Sequence, residues 1–476
     1  MFSLWEWGGT VVQTVDSEKI DRHVVAAIVA TGLLSFCGVI VETAMNISFP
    51  TLMKEFNVGT GTVQWMTSIY LLILAIIVPT SAILKSNFKT KQLFVTANLF
   101  FIIGVLVDGF APAFTWLIIG RAIQGIGTGI ALPLMFNIIM EQVPASKVGM
   151  MMGFGNLITG VAPAIGPTFG GLIVASIGWR WIFYILLPFL LLSLALGCWG
   201  IKQASAIVPQ HFDSWSFAMI ACLFTGLVFG FSNLSTQPFM SMSVAGAIVV
   251  GLLALLALIW RSLKINQPIL QMRLFADRRF AGHVLMMFLT QLCSLGFAFL
   301  LPNYVQLVNG NSALLAGLLV MPAGVAGALM SPVGGRLLDE KGARLPVITG
   351  ESIMLVVILI FAAISLHMNN WALMFVYIFY MLGMGMSMGC VMTSALKLVG
   401  RDNQTQGNAI LNTIQQFAGS MGTSLVAMIV AQSQAKGGTL KQTTAIGTQH
   451  AFVLLLVLAA ILVLVAILSV PRKTQA

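Results

Sequence analysis

From Val24 to Val470 the chain is a near-continuous succession of apolar stretches, each cut from the next by a short polar or Gly/Pro-containing break. About 20 mainly apolar residues suffice for a helix to cross the hydrocarbon of a bilayer. In lipid every backbone polar group must be satisfied within the structure, so stretches of this length fold as helices. Fourteen can be drawn, near 24–48, 60–84, 92–112, 115–140, 148–174, 181–201, 215–232, 242–260, 280–306, 313–335, 346–366, 371–396, 406–431 and 450–470. Composition argues against a soluble alternative. The chain is 58% hydrophobic and 8% charged with a mean hydropathy of +0.97, where soluble domains carry about 25% charged residues. The expected class is an all-α polytopic membrane protein.

Before the first stretch lie Asp16, Glu18 and Asp21. That polar, mixed-charge segment does not read as a cleavable leader, so the first helix is expected to stay in the membrane. Basic residues then orient the spans. With both termini in the cytoplasm, nineteen of the 24 Lys and Arg fall in inside loops and tails and four fall outside, leaving Arg121 within a span. This bias accounts for the net charge of +10 through topology and anionic membrane lipid, with no need of nucleic acid. The expected location is the plasma membrane, and the expected working unit a monomer. Cys37, Cys198, Cys222, Cys293 and Cys390 all fall inside apolar runs without metal-ligand spacing and read as small buried hydrophobes. No phosphate-cradling Gly-Lys-Ser/Thr loop is present, so ATP is not the expected energy source, and no cofactor, metal or enzymatic site is expected.

The two halves echo each other. Pro79 of "PTSAILKSNFKTK" and Pro332 of "PVGGRLLDEKGAR" are 253 residues apart, and "NLITGVAPAIG" (156–166) aligns with "NTIQQFAGSMG" (412–422) at an offset of 256. Near-equal offsets suggest two homologous six-helix bundles with two extra helices between them, a 6 + 2 + 6 arrangement. The divisions follow: residues 1–23 a cytoplasmic segment, 24–205 the first bundle, 206–265 the extra pair, and 266–476 the second bundle with a cytoplasmic tail.

Several segments carry a resemblance. "GRAIQGIGTG" (120–129), "GVAPAIGPTFGG" (160–171) and "WRWIFYILLP" (179–188) are similar to signatures of the major facilitator superfamily, and more narrowly of its fourteen-helix drug:proton antiporter branch. "ETAMNISFP" (42–50) resembles that branch's first-helix motif, "LPNYVQLVNGNSALLAGLLVMPAG" (301–324) its segment across spans 9 and 10, and "GGRLLDEKGAR" (334–344) the superfamily's cytoplasmic loop motif. There are departures. Ser86 and Lys89 stand where the first-half loop would carry an acid and a glycine, Glu42 replaces the more usual Asp, and Leu186 replaces an Asn. The resemblance implies a proton-coupled exporter of amphiphilic small molecules, of the drug-resistance kind, working by alternating access. Other readings on the same fold are a dedicated exporter of one physiological amphiphile (a lipid, bile acid or metabolite) and a sensor that does not transport.

Candidate residues follow from depth and spacing. At 1.5 Å per residue, Glu42 on span 1 and Arg121 on span 4 both lie roughly 10 Å below the outer edge. Spans 1 and 4 line the central cavity by resemblance, so this pair is expected to handle the proton. Of the three acids within spans, Glu42, Asp108 and Glu351, Glu42 is expected to be deepest, with Asp108 near the outer end of span 3 and Glu351 near the inner end of span 11. A single deep carboxylate predicts preference for neutral or singly charged substrates over divalent cations. Asn46, Trp65, Gln124, Asn137, Asn156, Asn412, Gln415 and Gln416 are expected on the substrate cavity. Pro163, Gly166 and Pro167 suggest a bent, closely packed helix at a moving interface. The loop motif implies a conformational role for Gly335, Asp339, Gly342 and Arg344.

Overall fold

The computed structural model describes residues 20–144, 148–204, 206–207, 209, 211–234, 237, 240–265, 268–400 and 403–470. Within them the secondary structure is helical, with no strand. Thirteen helices are long and apolar enough to cross a membrane, and a further helix runs from Val148 to Ser176. The protein is a multi-pass membrane protein.

Helix α1 spans Arg22–Glu55 and is capped by Asp21, whose carboxylate accepts from the His23 N–H at 3.1 Å. The second apolar stretch is segmented into α2 (Thr60–Val63), α3 (Trp65–Ile77), a 3₁₀ turn holding Pro79, and α4 (Ser81–Asn87). Helices α5 (Thr90–Gly109), α6 (Phe114–Gln142), α7 (Val148–Ser176) and α8 (Arg180–Gly200) follow. Then come α9 (Ser214–Asn233) and α10 (Ala247–Lys264). The chain continues with α11 (Arg278–Leu307), α12 (Ala313–Lys341), α13 (Arg344–Ile364), α14 (Asn370–Leu398), α15 (Gln404–Ala435) and α16 (Leu440–Ser469).

Several helices overrun the apolar stretches that predict them, α12 and α16 among them. α12 continues through most of the expected loop 334–344 and stops only at Gly342, whose φ of +83° suits glycine and whose N–H closes on the Leu338 carbonyl. α16 begins ten residues before 450, because Thr439 caps it through a bond from the Gln442 N–H and Thr443 and Thr448 turn their hydroxyls onto carbonyls of their own helix. Apolarity marks the lipid-crossing part of a helix, and capping marks its ends.

Helix pairings in the two halves correspond. α1 packs on α6, α7 and α8, and α11 packs on α14, α15 and α16; α5 packs on α6 and α8, and α13 on α14 and α16. α3 lies on α6 as α12 lies on α14. The halves meet along two seams, α7 against α12 and α3 against α15, with α1 touching α11. Gly317 permits the first seam, since a Cβ there would sit 2.2 Å from the Pro167 carbonyl oxygen. Hydrogen bonds across the seams gather at the end of the bundle where α1 finishes and α12 begins. Thr60 donates to Gln434 at 2.8 Å, Thr168 to the Gly317 carbonyl at 3.2 Å, and Gln306 to the Ile47 carbonyl at 3.0 Å. Ser68 bonds Thr423 and Ser424 at 3.0 and 2.9 Å.

α9 and α10 pack on each other, and α9 also lies on α15 and α3. A clasp closes the far end of the pair: the Arg261 guanidinium grips the Asp213 carboxylate with three contacts of 2.6–3.1 Å. These bonds, with one from Ser216, hold the Asp213 carboxyl down at about 2. A depressed carboxylate contributes stability that is fully present above the ordinary carboxylate pKa and lost as pH falls through the folded value. The Asp213→Asn protein is therefore expected to melt earlier than wild type at pH 7, by about 1 kcal/mol for a partly exposed pair. The gap should narrow below the ordinary carboxylate range and close near pH 2. Thermal denaturation in detergent at both pH values checks this; an equal gap at both would remove the clasp.

Candidate functional site

The expected pairing of Glu42 with Arg121 is not a direct contact. Arg121 is fully buried, one of the largest side chains in that state, so it does not reach back to an interface. Its Nε donates to the Met66 carbonyl at 3.0 Å and its Nη1 to Gln124 Oε1 at 2.8 Å. Its guanidinium lies 4.1 Å from the centre of the Tyr70 ring, a cation–π contact. Gln124 passes the chain of bonds on, its Nε2 donating to Asp108 Oδ2 at 2.8 Å. The result is a buried relay, guanidinium to amide to carboxylate, across α6 and α5. Arg121, Gln124 and Thr128 recur at helical spacing on one face of α6, and Thr128 receives the Tyr70 hydroxyl at 3.0 Å.

Glu42 stands beside this relay. A Cβ on Gly38 would touch Thr128 and the Tyr70 hydroxyl, so α1 meets α3 and α6 there. One turn further on, Glu42 comes within electrostatic range of Arg121 and Tyr70. It is partly exposed and enters none of the four ion pairs among the described residues. One more turn brings Asn46, which is buried and accepts from Thr67 at 2.8 Å.

Two corrections follow. Glu42 is not the most buried acid: Asp108 and Glu351 are both 0% exposed. Glu351 Oε1 accepts from Thr290 at 3.2 Å. Burial, as distinct from depth along the span, therefore counts more than one carboxylate inside the bundle, which weakens the argument against divalent substrates. Asp108 escapes a sequence reading because counting residues puts it at the end of its span. Depth along a helix does not report which way a side chain turns. A signal exists in Gly120, where a Cβ would lie 2.0 Å from Asp108 Oδ1; glycine there opens the space the carboxylate fills.

The remaining expected residues scatter. Trp65 packs its ring on Phe229 of α9, 6.1 Å between centroids. Asn137 is partly buried on α6, and Gln416 partly buried on α15. Gln415 reaches Gln291 of α11 at 3.5 Å, and Asn412 bonds back to Asn408 on its own helix at 2.9 Å. Gly166 is buried, with Thr43 of α1 within 1.9 Å of where its Cβ would be. The side chains of Asn156 and Pro163 lie outside the described residues. In the loop motif, nothing stands within 4 Å of a Cβ on Gly335, and Asp339 is exposed. Arg344 ties α13 to the end of α16 through the Val470 and Ile467 carbonyls, at 2.9 and 3.3 Å. In the first half Lys85 of α4 pairs with Glu141 of α6, so a lysine that survives in the eroded loop anchors that half.

Two helical halves with matching pairings meet along paired seams, with a buried arginine relay beside a membrane acid. Residues 31–423 match the model of the Major Facilitator Superfamily, and the chain belongs to that family. Its members are transporters, so this chain is a transporter and not an enzyme. Among relatives, it is 36% identical over 463 residues to the lincomycin resistance protein LmrB of Bacillus subtilis (strain 168), covering 95% of this chain and 97% of that protein. It is 27% identical to a multidrug resistance protein B homolog of Mycobacterium tuberculosis (strain ATCC 25618 / H37Rv), covering 82% of this chain and 73% of that one. Among solved structures, a POT family transporter in complex with 5-aminolevulinic acid matches with a TM-score of 0.71 at 13% identity, covering 94% of this chain and 96% of that one. A bacterial homolog of the human lysosomal transporter Spinster, inward-facing and unoccupied, matches with a TM-score of 0.67 at 14% identity, covering 94% and 97%. At these identities the structures speak for the fold alone.

Proposed function

We propose that the protein exports amphiphilic antimicrobial compounds in exchange for protons, by alternating access, from a plasma membrane it crosses fourteen times with both termini in the cytoplasm. The observation that carries the reading is the group of two acids around one buried cation. Glu42 and Asp108 share Arg121, and a charge in a dry interior is costly unless compensated. One guanidinium compensates one carboxylate, so the group favours holding one proton. Rearranging the Gln124 bridge, or wetting Glu42, changes which acid Arg121 compensates and releases that proton. The matching helix pairings support the 6 + 2 + 6 arrangement, and the seam bonds at the α12-leading end support a gate there. The relatives' names, lincomycin resistance and multidrug resistance proteins, support drugs as cargo. Neutral hydrogen-bonding side chains on the spans, with 27 methionines in the chain, suit cargo of varied shape.

In proteoliposomes with an imposed pH gradient, a lincosamide and a panel of other amphiphiles are expected to move against their gradient and to acidify the compartment they leave. Export that persists without a pH gradient, or runs on ATP, would overturn the proton-coupled reading.

A further inference from the structure

A cavity of about 390 Å³ lies away from the Arg121 relay, between the α9–α10 pair, the 268–277 segment and α15. Its walls include Phe224 of α9, Leu258 of α10, Met272 and Phe275 of the connecting segment, and Thr413 and Ile414 of α15. That volume and that mostly apolar lining are those of a small-molecule pocket. Thr413 supplies the one polar side chain. It is 1% exposed, and its hydroxyl has no hydrogen-bond partner among the described residues. Buried threonines elsewhere do find one: Thr31, Thr423, Thr443 and Thr448 each turn onto a carbonyl four residues back. A buried hydroxyl left unpaired on a cavity wall is a recognition group awaiting its partner.

We infer that this cavity binds a neutral, apolar molecule carrying one hydrogen-bonding group, which pairs with Thr413. Among the described residues no charged side chain lines it. An ionic group would be desolvated there without compensation, so charged ligands are excluded. The occupant sits between the extra helix pair and α15, the helix that forms a seam with α3. The site gives the extra pair a binding role that is independent of the export reading.

The test uses the full chain in proteoliposomes without a pH gradient and a photoactivatable trifluoromethyl-phenyldiazirine bearing a benzylic alcohol, alongside its analogue lacking the hydroxyl. Labelled peptides are mapped by mass spectrometry. Lipid-facing Leu253 and Leu256 on α10 serve as internal controls, because bilayer labelling there is not saturable. Labelling at Leu258, Phe275 and Ile414 should saturate and be competed by excess unlabelled benzylic alcohol. Thr413→Val should weaken that competition about tenfold, the equivalent of one hydrogen bond, and leave the hydroxyl-free analogue unchanged. Leu258→Trp should abolish saturable labelling by filling the space, with labelling at Leu253 and Leu256 retained as the sign of a folded protein. Should Leu258→Trp not fold, Thr413→Val, a near-isosteric change, decides alone. Non-saturable labelling matching the lipid-facing controls, or saturable labelling indifferent to Thr413→Val, would overturn the site. Neither readout depends on transport, so failure here leaves the export reading standing.

Discussion

Replacing Arg121 by methionine is expected to abolish transport and to cost about 3–5 kcal/mol of stability, the usual penalty for removing one partner of a buried charge arrangement. The side chain is 0% exposed, sits between two acids, and is the one buried Lys or Arg among the described residues. Methionine restores the volume but not the charge, so the loss measures electrostatics and not a cavity. The relay makes a further prediction: Asp108→Asn in the same protein should recover most of the stability, because the carboxylate left without compensation is gone. Transport should not return. Lysine at 121 keeps the charge without the fork that reaches Met66 and Gln124 together, and should rescue only in part. Thermal unfolding in detergent and transport in proteoliposomes measure the series. An Arg121→Met protein as stable as wild type would show that the acids do not depend on the guanidinium.

Much of this was legible in the sequence. Apolar runs marked the helices because lipid leaves the backbone no other means of bonding. Equal depths of Glu42 and Arg121 pointed to one neighbourhood, since antiparallel helices bring equal depths side by side. What counting could not supply was direction and partnership. Asp108 turns inward near the end of its helix into room left by Gly120 on another, and that is a long-range fact. Trp65 looks like a cavity residue in one dimension, and its ring is taken by Phe229 of a helix whose place no local pattern gives. The overrun of α12 to Lys341 was hidden because the loop motif is polar, and a helix that leaves the membrane has no need to be apolar.

In the proposed cycle a proton held between Glu42 and Asp108 is exchanged for cargo, and Glu42 is the less buried of the two acids. Glutamine at 42 mimics the protonated acid permanently and keeps the shape. The protein should fold, bind cargo and exchange labelled for unlabelled cargo across the membrane, because these steps need no net proton release. What should vanish is coupling. The most direct measurement loads proteoliposomes with a pH-sensitive dye, adds cargo on one side and records proton movement beside cargo counterflow in wild type and Glu42→Gln. Wild type is expected to move protons with cargo, while the variant retains counterflow with proton movement at the level of empty liposomes. Cargo-driven proton movement undiminished in the Glu42→Gln protein would contradict the account.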